Sequence, residues 1–236
     1  MEPLRVVFAT LTVLGAAGTL AGLVTSGRSR HCLFFVAYLT ALMISEALCV
    51  LWPAVFFTSE FWMLKQALYD VLRTIVALEM AWRVMQAFPG ALRTARWSAL
   101  ALLVGALAVL ATSPHRARYD VMFTWQPRVV ACTALLFTLT ALLVAWYRLP
   151  MRAIHRAIMG GFAIYLAFFA TILGLLQRWG WGILGLANVI EGVALLGVIG
   201  WWLRIAWARQ EEVMPQIEEI RAASVPAAGA TVEKAA

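Results

Sequence analysis

Seven stretches of this chain are apolar for close to the length a helix needs to cross a membrane. About 20 helical residues span roughly 30 Å of hydrocarbon. The stretches lie near residues 4–25, 32–52, 60–87, 95–112, 128–147, 151–177 and 181–208. Proline or glycine stands at several of the breaks: Trp52-Pro53, Phe88-Pro89-Gly90, Pro127 and Pro150. The fold class expected is all-α, a seven-transmembrane-helix bundle over residues 1–210, with a short cytoplasmic tail at 211–236 that is partly disordered. Composition agrees: 63% of the chain is hydrophobic and 13% charged, against about 45–50% and about 25% in soluble domains. A water-soluble globule and a disulfide-rich secreted scaffold are thereby excluded.

The first stretch has a basic residue, Arg5, and small residues at Gly15–Ala17, as a secretory signal does. Its apolar run continues to Val24, beyond the about 7–15 residues of a signal core, so it is read as a retained helix.

The net charge of +7 is membrane topology rather than nucleic-acid binding. Basic residues gather at cytoplasmic loops. Arg28, Arg30, Arg83, Arg93, Arg96, Arg148, Arg152, Arg156, Arg204, Arg209, Arg221 and Lys234 fall on one side. Arg5, Lys65, Arg116, Arg118, Arg128 and Arg178 fall on the other. The majority side is read as cytoplasmic, which puts the N-terminus outside and the C-terminus in the cytoplasm. The 113–127 connection, with Arg116 and Arg118, argues the other way. Trp52, Trp62, Trp125, Trp179 and Trp181 then mark the outer boundary. Trp82, Trp97, Trp146, Trp201, Trp202 and Trp207 mark the inner one, as indoles do at headgroup level. Of 19 basic residues all but Lys65 and Lys234 are Arg. With the abundance of Ala, that bias points to a high-GC bacterial genome and so to the bacterial cytoplasmic (inner) membrane.

Ionisable groups inside a span are expensive and each is a functional hypothesis. Glu46 lies in the second span, Asp70, Arg73 and Glu79 in the third, and Glu191 in the seventh. Asp70 and Arg73, three apart, share a helix face, which Gln66 and Tyr69 extend. Asn188 and Glu191 share a face of the seventh span. These eight residues are the candidates for ligand binding or for a proton or ion relay. If helices 2, 3 and 7 are neighbours, three carboxylates surround Arg73. Two readings of that cluster stay open: a polar network that fixes helix register, or a polar cavity for a ligand, cation or proton. The third span also holds Lys65, Thr74 and Arg83, is too polar to face lipid, and is expected at the centre.

Several chemistries find no support. The last span has no lysine for a retinal Schiff base, and His31, His115 and His155 stand at span ends or in loops, unsuited to haem. His31 and His155 are the one pair placed to share a metal. Cys32, Cys49 and Cys132 have no C-x-x-C spacing; Cys49 with Cys132 is the one disulfide considered. No H-E-x-x-H, G-x-S-x-G or Walker loop occurs. No catalytic residue, metal or cofactor is expected, and a non-catalytic protein is favoured.

Phe34-Phe35-x-x-Tyr38, Phe61-Trp62, and Glu79-x-x-x-Arg83 followed by Phe88-Pro89-Gly90-Ala91 together resemble uncharacterised bacterial seven-helix integral membrane proteins, mainly over residues 30–95. The resemblance implies a seven-helix inner-membrane protein and no activity. That group often carries a basic residue where this chain has Ile44-Ser45-Glu46, so the resemblance does not extend to the polar cluster.

Three function classes follow. The favoured one is a sensor or interaction protein that binds a small apolar or lipid ligand in the bundle. It would act through a separate cytoplasmic or membrane protein partner, because the tail after Gln210 is too short for an output domain. The second is a proton-linked transporter using the intramembrane carboxylates. The third is a membrane-embedded lipid-modifying enzyme. Membrane lipids are expected partners. Gly18-x-x-x-Gly22 is read as packing within the bundle, with a homodimer face as the second reading.

Overall fold

The computed structural model describes residues 3–85, 118–149 and 151–208. The span near 95–112, the Phe88-Pro89-Gly90 turn and the tail lie outside the described residues. Those residues form seven helices and no strand: α1 (Pro3–Thr25), α2 (Leu33–Leu51), the one-turn α3 (Pro53–Phe56), α4 (Ser59–Met85), α5 (Arg118–Trp146), α6 (Ala153–Trp179) and α7 (Leu184–Trp207). Five of them, α1, α2, α5, α6 and α7, are long and apolar enough to cross a membrane, which is the character of an integral membrane protein.

Two boundaries differ from the sequence expectation. Helix α5 begins before Pro127 and carries that proline inside it. Proline removes one backbone hydrogen bond, which helices in membranes tolerate where neighbours re-satisfy the freed group. The last helix starts at Leu184, after a 3₁₀ turn over Gly180–Ile183.

The long helices close into a ring. α1 packs on α2 and α7, α2 on α4, α4 on α5, α5 on α6, and α6 on α7. α4 is built inside-out compared with a soluble amphipathic helix. Leu64, Leu68 and Val71 are exposed on its outer face, while Gln66, Tyr69, Arg73 and Met80 are buried.

One half of the ring interior is filled. Phe35 of α2, Phe137 of α5, Phe162 of α6 and Trp202 of α7 are all fully buried. The Trp202 ring stands 4.9 Å from both Phe35 and Phe162, and Phe137 stacks on Phe162 at 4.9 Å. Offset and edge-on rings of this kind add to the energy of burial. Trp202 is therefore a core anchor rather than a boundary indole. Its Nε1 donates to Ala157 O at 3.0 Å, and Gly161 makes room for its ring. Trp125 is also buried.

The ring is sealed where α1 meets α7. Gly15, Gly18 and Gly22 face Ile199, Leu203 and Trp207, so the glycine stripe packs within the chain. Trp207 Nε1 donates to Gly18 O at 2.9 Å. Arg28, in the turn after α1, reaches the end of α7 and donates to Ile205 O and Ala208 O, both at 2.8 Å. A guanidinium there satisfies the helix's last carbonyls and complements its dipole.

Candidate functional site

The other half of the ring interior is open. It holds a cavity of about 520 Å³. Its wall is largely apolar: Phe8 and Ala9 of α1, Leu42 of α2, Phe169 and Leu173 of α6, Leu195 of α7. Toward the end of the bundle where α1 begins, the lining includes Leu4, Phe57 and Trp62, all exposed, so the cavity reaches the molecular surface there.

Six of the eight residues singled out from the sequence line this cavity: Glu46, Gln66, Tyr69, Arg73, Asn188 and Glu191. Periodicity explains the α4 set. Gln66, Tyr69 and Arg73 recur at three and four residues and so share one face. Asp70, one turn before Arg73 on α4, does not line the cavity and has its Oδ1 3.3 Å from Arg73 Nη1. Glu79 lies farther along α4, paired with Arg83 at 2.7 Å, and belongs to the closed half.

Three carboxylates around Arg73 depended on the second, third and seventh spans being neighbours, and that condition is met only in part. α2 and α4 are neighbours, but α7 packs chiefly on α1 and α6. Glu46 is taken by Lys65, with Nζ donating to Oε1 at 2.8 Å. Glu191 approaches Arg73 only through Tyr165 of α6. The phenol donates to Glu191 Oε1 at 3.1 Å and accepts from Arg73 Nη2 at 3.4 Å. Tyr165 is one residue that sequence reasoning missed. It sits on α6, beside α7 in the ring, and no spacing rule links it to Arg73 or Glu191.

Arg73 forms the floor. It is 2% exposed, and its guanidinium lies 5.1–5.7 Å from the rings of Tyr165, Tyr69, Tyr38 and Phe169. Cation–π attraction is strongest when the charge is desolvated. The cage is drawn from three helices, because Tyr38 belongs to α2, Tyr69 to α4 and the other two rings to α6. Tyr69 is in turn held by a hydrogen bond between its hydroxyl and Ser45 Oγ.

Two amides in the wall are buried without a partner for one atom each: Gln66 Oε1 and Gln126 Nε2. Buried polar atoms are nearly always bonded to something. Both residues line the cavity, with these two atoms turned into the packed wall. Gln126 escaped the sequence reading because the helix was expected to start after Pro127.

The metal and disulfide alternatives do not form. His155 Nε2 is 3.1 Å from the backbone carbonyl of His31, and among the described residues no group of His, Cys, Asp and Glu is placed to hold a metal. The three thiols are free. No protein-family model, curated protein or solved structure matches the chain.

Proposed function

We propose that this protein is a polytopic inner-membrane protein of the sensor or interaction type. It binds a small apolar or lipid molecule inside the helix ring and acts through a separate partner. In this reading α4 is a further crossing and the stretch near 95–112 another, giving seven, with the N-terminus and the cavity mouth outside. The inside-out pattern of α4 supports its place in the membrane.

The observation that carries the reading is the cavity itself. A space of about 520 Å³ falls within the range of about 300–1,000 Å³ usual for ligand sites. Its apolar wall suits a hydrocarbon chain, and polar side chains from α2, α4, α6 and α7 share its lining, as in a site that orients an amphiphile. The ring-filled half beyond Arg73 favours binding over passage.

The test is a comparison of purified wild type with Ala187→Phe and Thr12→Phe. Both positions are buried and line the cavity. Mass spectrometry of the protein in mild detergent is expected to show a lipid-like molecule held by the wild type and lost from both variants. Identical lipid complements in all three would end the reading.

A second reading, proton-linked transport, has one specific observation behind it. Asp70, Arg73, Tyr165 and Glu191 form a hydrogen-bonded line from α4 through α6 to α7. Proton-coupled flux in liposomes that is abolished by Glu191→Gln would favour it over the first.

A further inference from the structure

Ion pairing in the cavity leaves Glu191 without a partner cation. Three cations, Arg5, Lys65 and Arg73, and two carboxylates, Glu46 and Glu191, line it, and a third carboxylate, Asp70, pairs with Arg73 from outside the lining. Lys65 pairs with Glu46 at 2.8 Å and Arg73 with Asp70 at 3.3 Å. Glu191 is left with the Tyr165 phenol at 3.1 Å. Arg5 does not supply the missing charge. It is exposed at the rim, with its guanidinium 5.4 Å from the Phe57 ring.

A carboxylate facing an apolar-walled space is stable with a counter-charge and unstable without one. The surroundings of Glu191 describe that counter-charge. Gln66, 8% exposed, lines the same cavity. Asn188 lies one turn before Glu191 on α7, and Phe169 lines the wall stacked on Tyr165 at 6.0 Å. Carboxylate and amide oxygens ask for a head rich in donors, and ring faces attract positive charge. An anionic head at the depth of Glu191 would meet Arg73 already paired with Asp70 and a carboxylate that repels it, while the cation without an ion pair, Arg5, lies at the rim. Two buried donors without a partner, Gln126 Nε2 and Arg73 Nε, are not served by an ammonium and would suit a hydroxyl or carbonyl head instead.

We propose that the cavity takes a lipophilic amine, with the apolar chain along the wall and the protonated nitrogen on Glu191. The proposal rests on the reading of the cavity as a site for a lipid-like ligand, and it names the head that ligand carries.

The experiment titrates purified full-length protein in a nonionic detergent with three probes sharing one saturated chain: a fatty amine, a fatty alcohol and a fatty acid. Thermal unfolding reports binding, and Ala187→Phe, with its cavity filled, corrects for effects of the probes on the micelle. The amine is expected to bind at least about tenfold more tightly than the other two, a difference well resolved in midpoint shifts. Glu191→Gln is expected to remove that preference while alcohol binding survives. Alcohol or acid binding the wild type as tightly as the amine would overturn the proposal and leave the ligand site standing. So would Glu191→Gln binding the amine unchanged. The wild-type series decides the matter alone if that variant does not fold. Should no probe of any head stabilise the wild type beyond Ala187→Phe, the cavity is not a site for single-chain lipids, and both readings fall together.

Discussion

The same six helices build two unlike interiors, and Arg73 stands where they meet. On one side Phe35, Phe137, Phe162 and Trp202 fill the ring with fully buried aromatic groups. On the other the helices enclose a cavity of about 520 Å³. Residue type differs between the two. In the closed half large rings reach inward and glycine admits them, as Gly161 does for Trp202. In the open half the inward positions hold Ala9, Thr12, Gly185, Ala187 and Gly192 alongside the charged groups. Small side chains cannot meet across the ring. Stability is thus concentrated in one half, and chemistry is available in the other.

Truncation is the strongest way to test that division. Trp202→Ala opens a void in a packed region and loses a buried hydrogen bond, so it is expected to destabilise by about 3–5 kcal/mol. Leu173→Ala, in a wall that already borders open space, is expected to cost about 1 kcal/mol or less, since little packing is lost. Unfolding by a denaturing detergent measures both. Equal losses would mean that the cavity collapses onto its walls in solution.

The boundary itself comes next. Arg73→Met leaves Asp70, 13% exposed, beside no cation and is expected to cost about 3 kcal/mol, while adding Asp70→Asn restores much of the loss. A double-mutant cycle on melting curves reads the coupling. If Arg73→Met is neutral or stabilising, the cation is held at a cost to stability, and the open half is the reason for keeping it.

The pair higher in the cavity is worth less. Lys65 and Glu46 have side-chain exposures of 12% and 18%, against 3% for Arg73, so solvent screens them more. The coupling between Lys65→Met and Glu46→Gln is expected near 1 kcal/mol and to shrink in high salt. A coupling as large as that of Arg73 and Asp70 would show that the cavity is dry.

The smallest effect belongs to the closed end. Partial burial, then Arg152, Arg83 and Arg30, hold the His31 imidazole below its ordinary value of 6.5. Its charged form is disfavoured in the fold. His31 therefore contributes fully above pH 6.5, and its contribution declines as the pH falls toward the lowered folded value, because the unfolded chain takes up the proton first. Melting temperatures of wild type and His31→Gln across that window are expected to diverge slightly on the acid side only.

How much of this was legible in the sequence follows from the range of each interaction. Helix positions are local, and hydrophobic length placed α1, α2, α6 and most of α7 to within a few residues. The polar face of α4 was equally legible, because Gln66, Tyr69, Asp70 and Arg73 recur at helical spacing. Partners across the ring were not. Nothing near Glu191 in the chain points to Tyr165, and nothing near Arg73 announces Tyr38. Both contacts are set by which helices become neighbours, and α7 settles beside α1 and α6 rather than α4. Gln126 was hidden for a different reason: proline was read as a helix start, and the helix runs through it. Trp202 was misplaced because an indole near a span end suits a boundary as well as a core, and only its contacts with Phe35 and Phe162 tell which.

The seam between α1 and α7 bears on how the cavity is closed. Glycine faces on α1 meet Ile199, Leu203 and Trp207, and Arg28 meets the carbonyls of Ile205 and Ala208. These partners come later in the chain than every other described helix. Without the contact of α7 with the first helix the cavity lacks one wall, so a ligand site here depends on the two described helices most distant in the chain coming together.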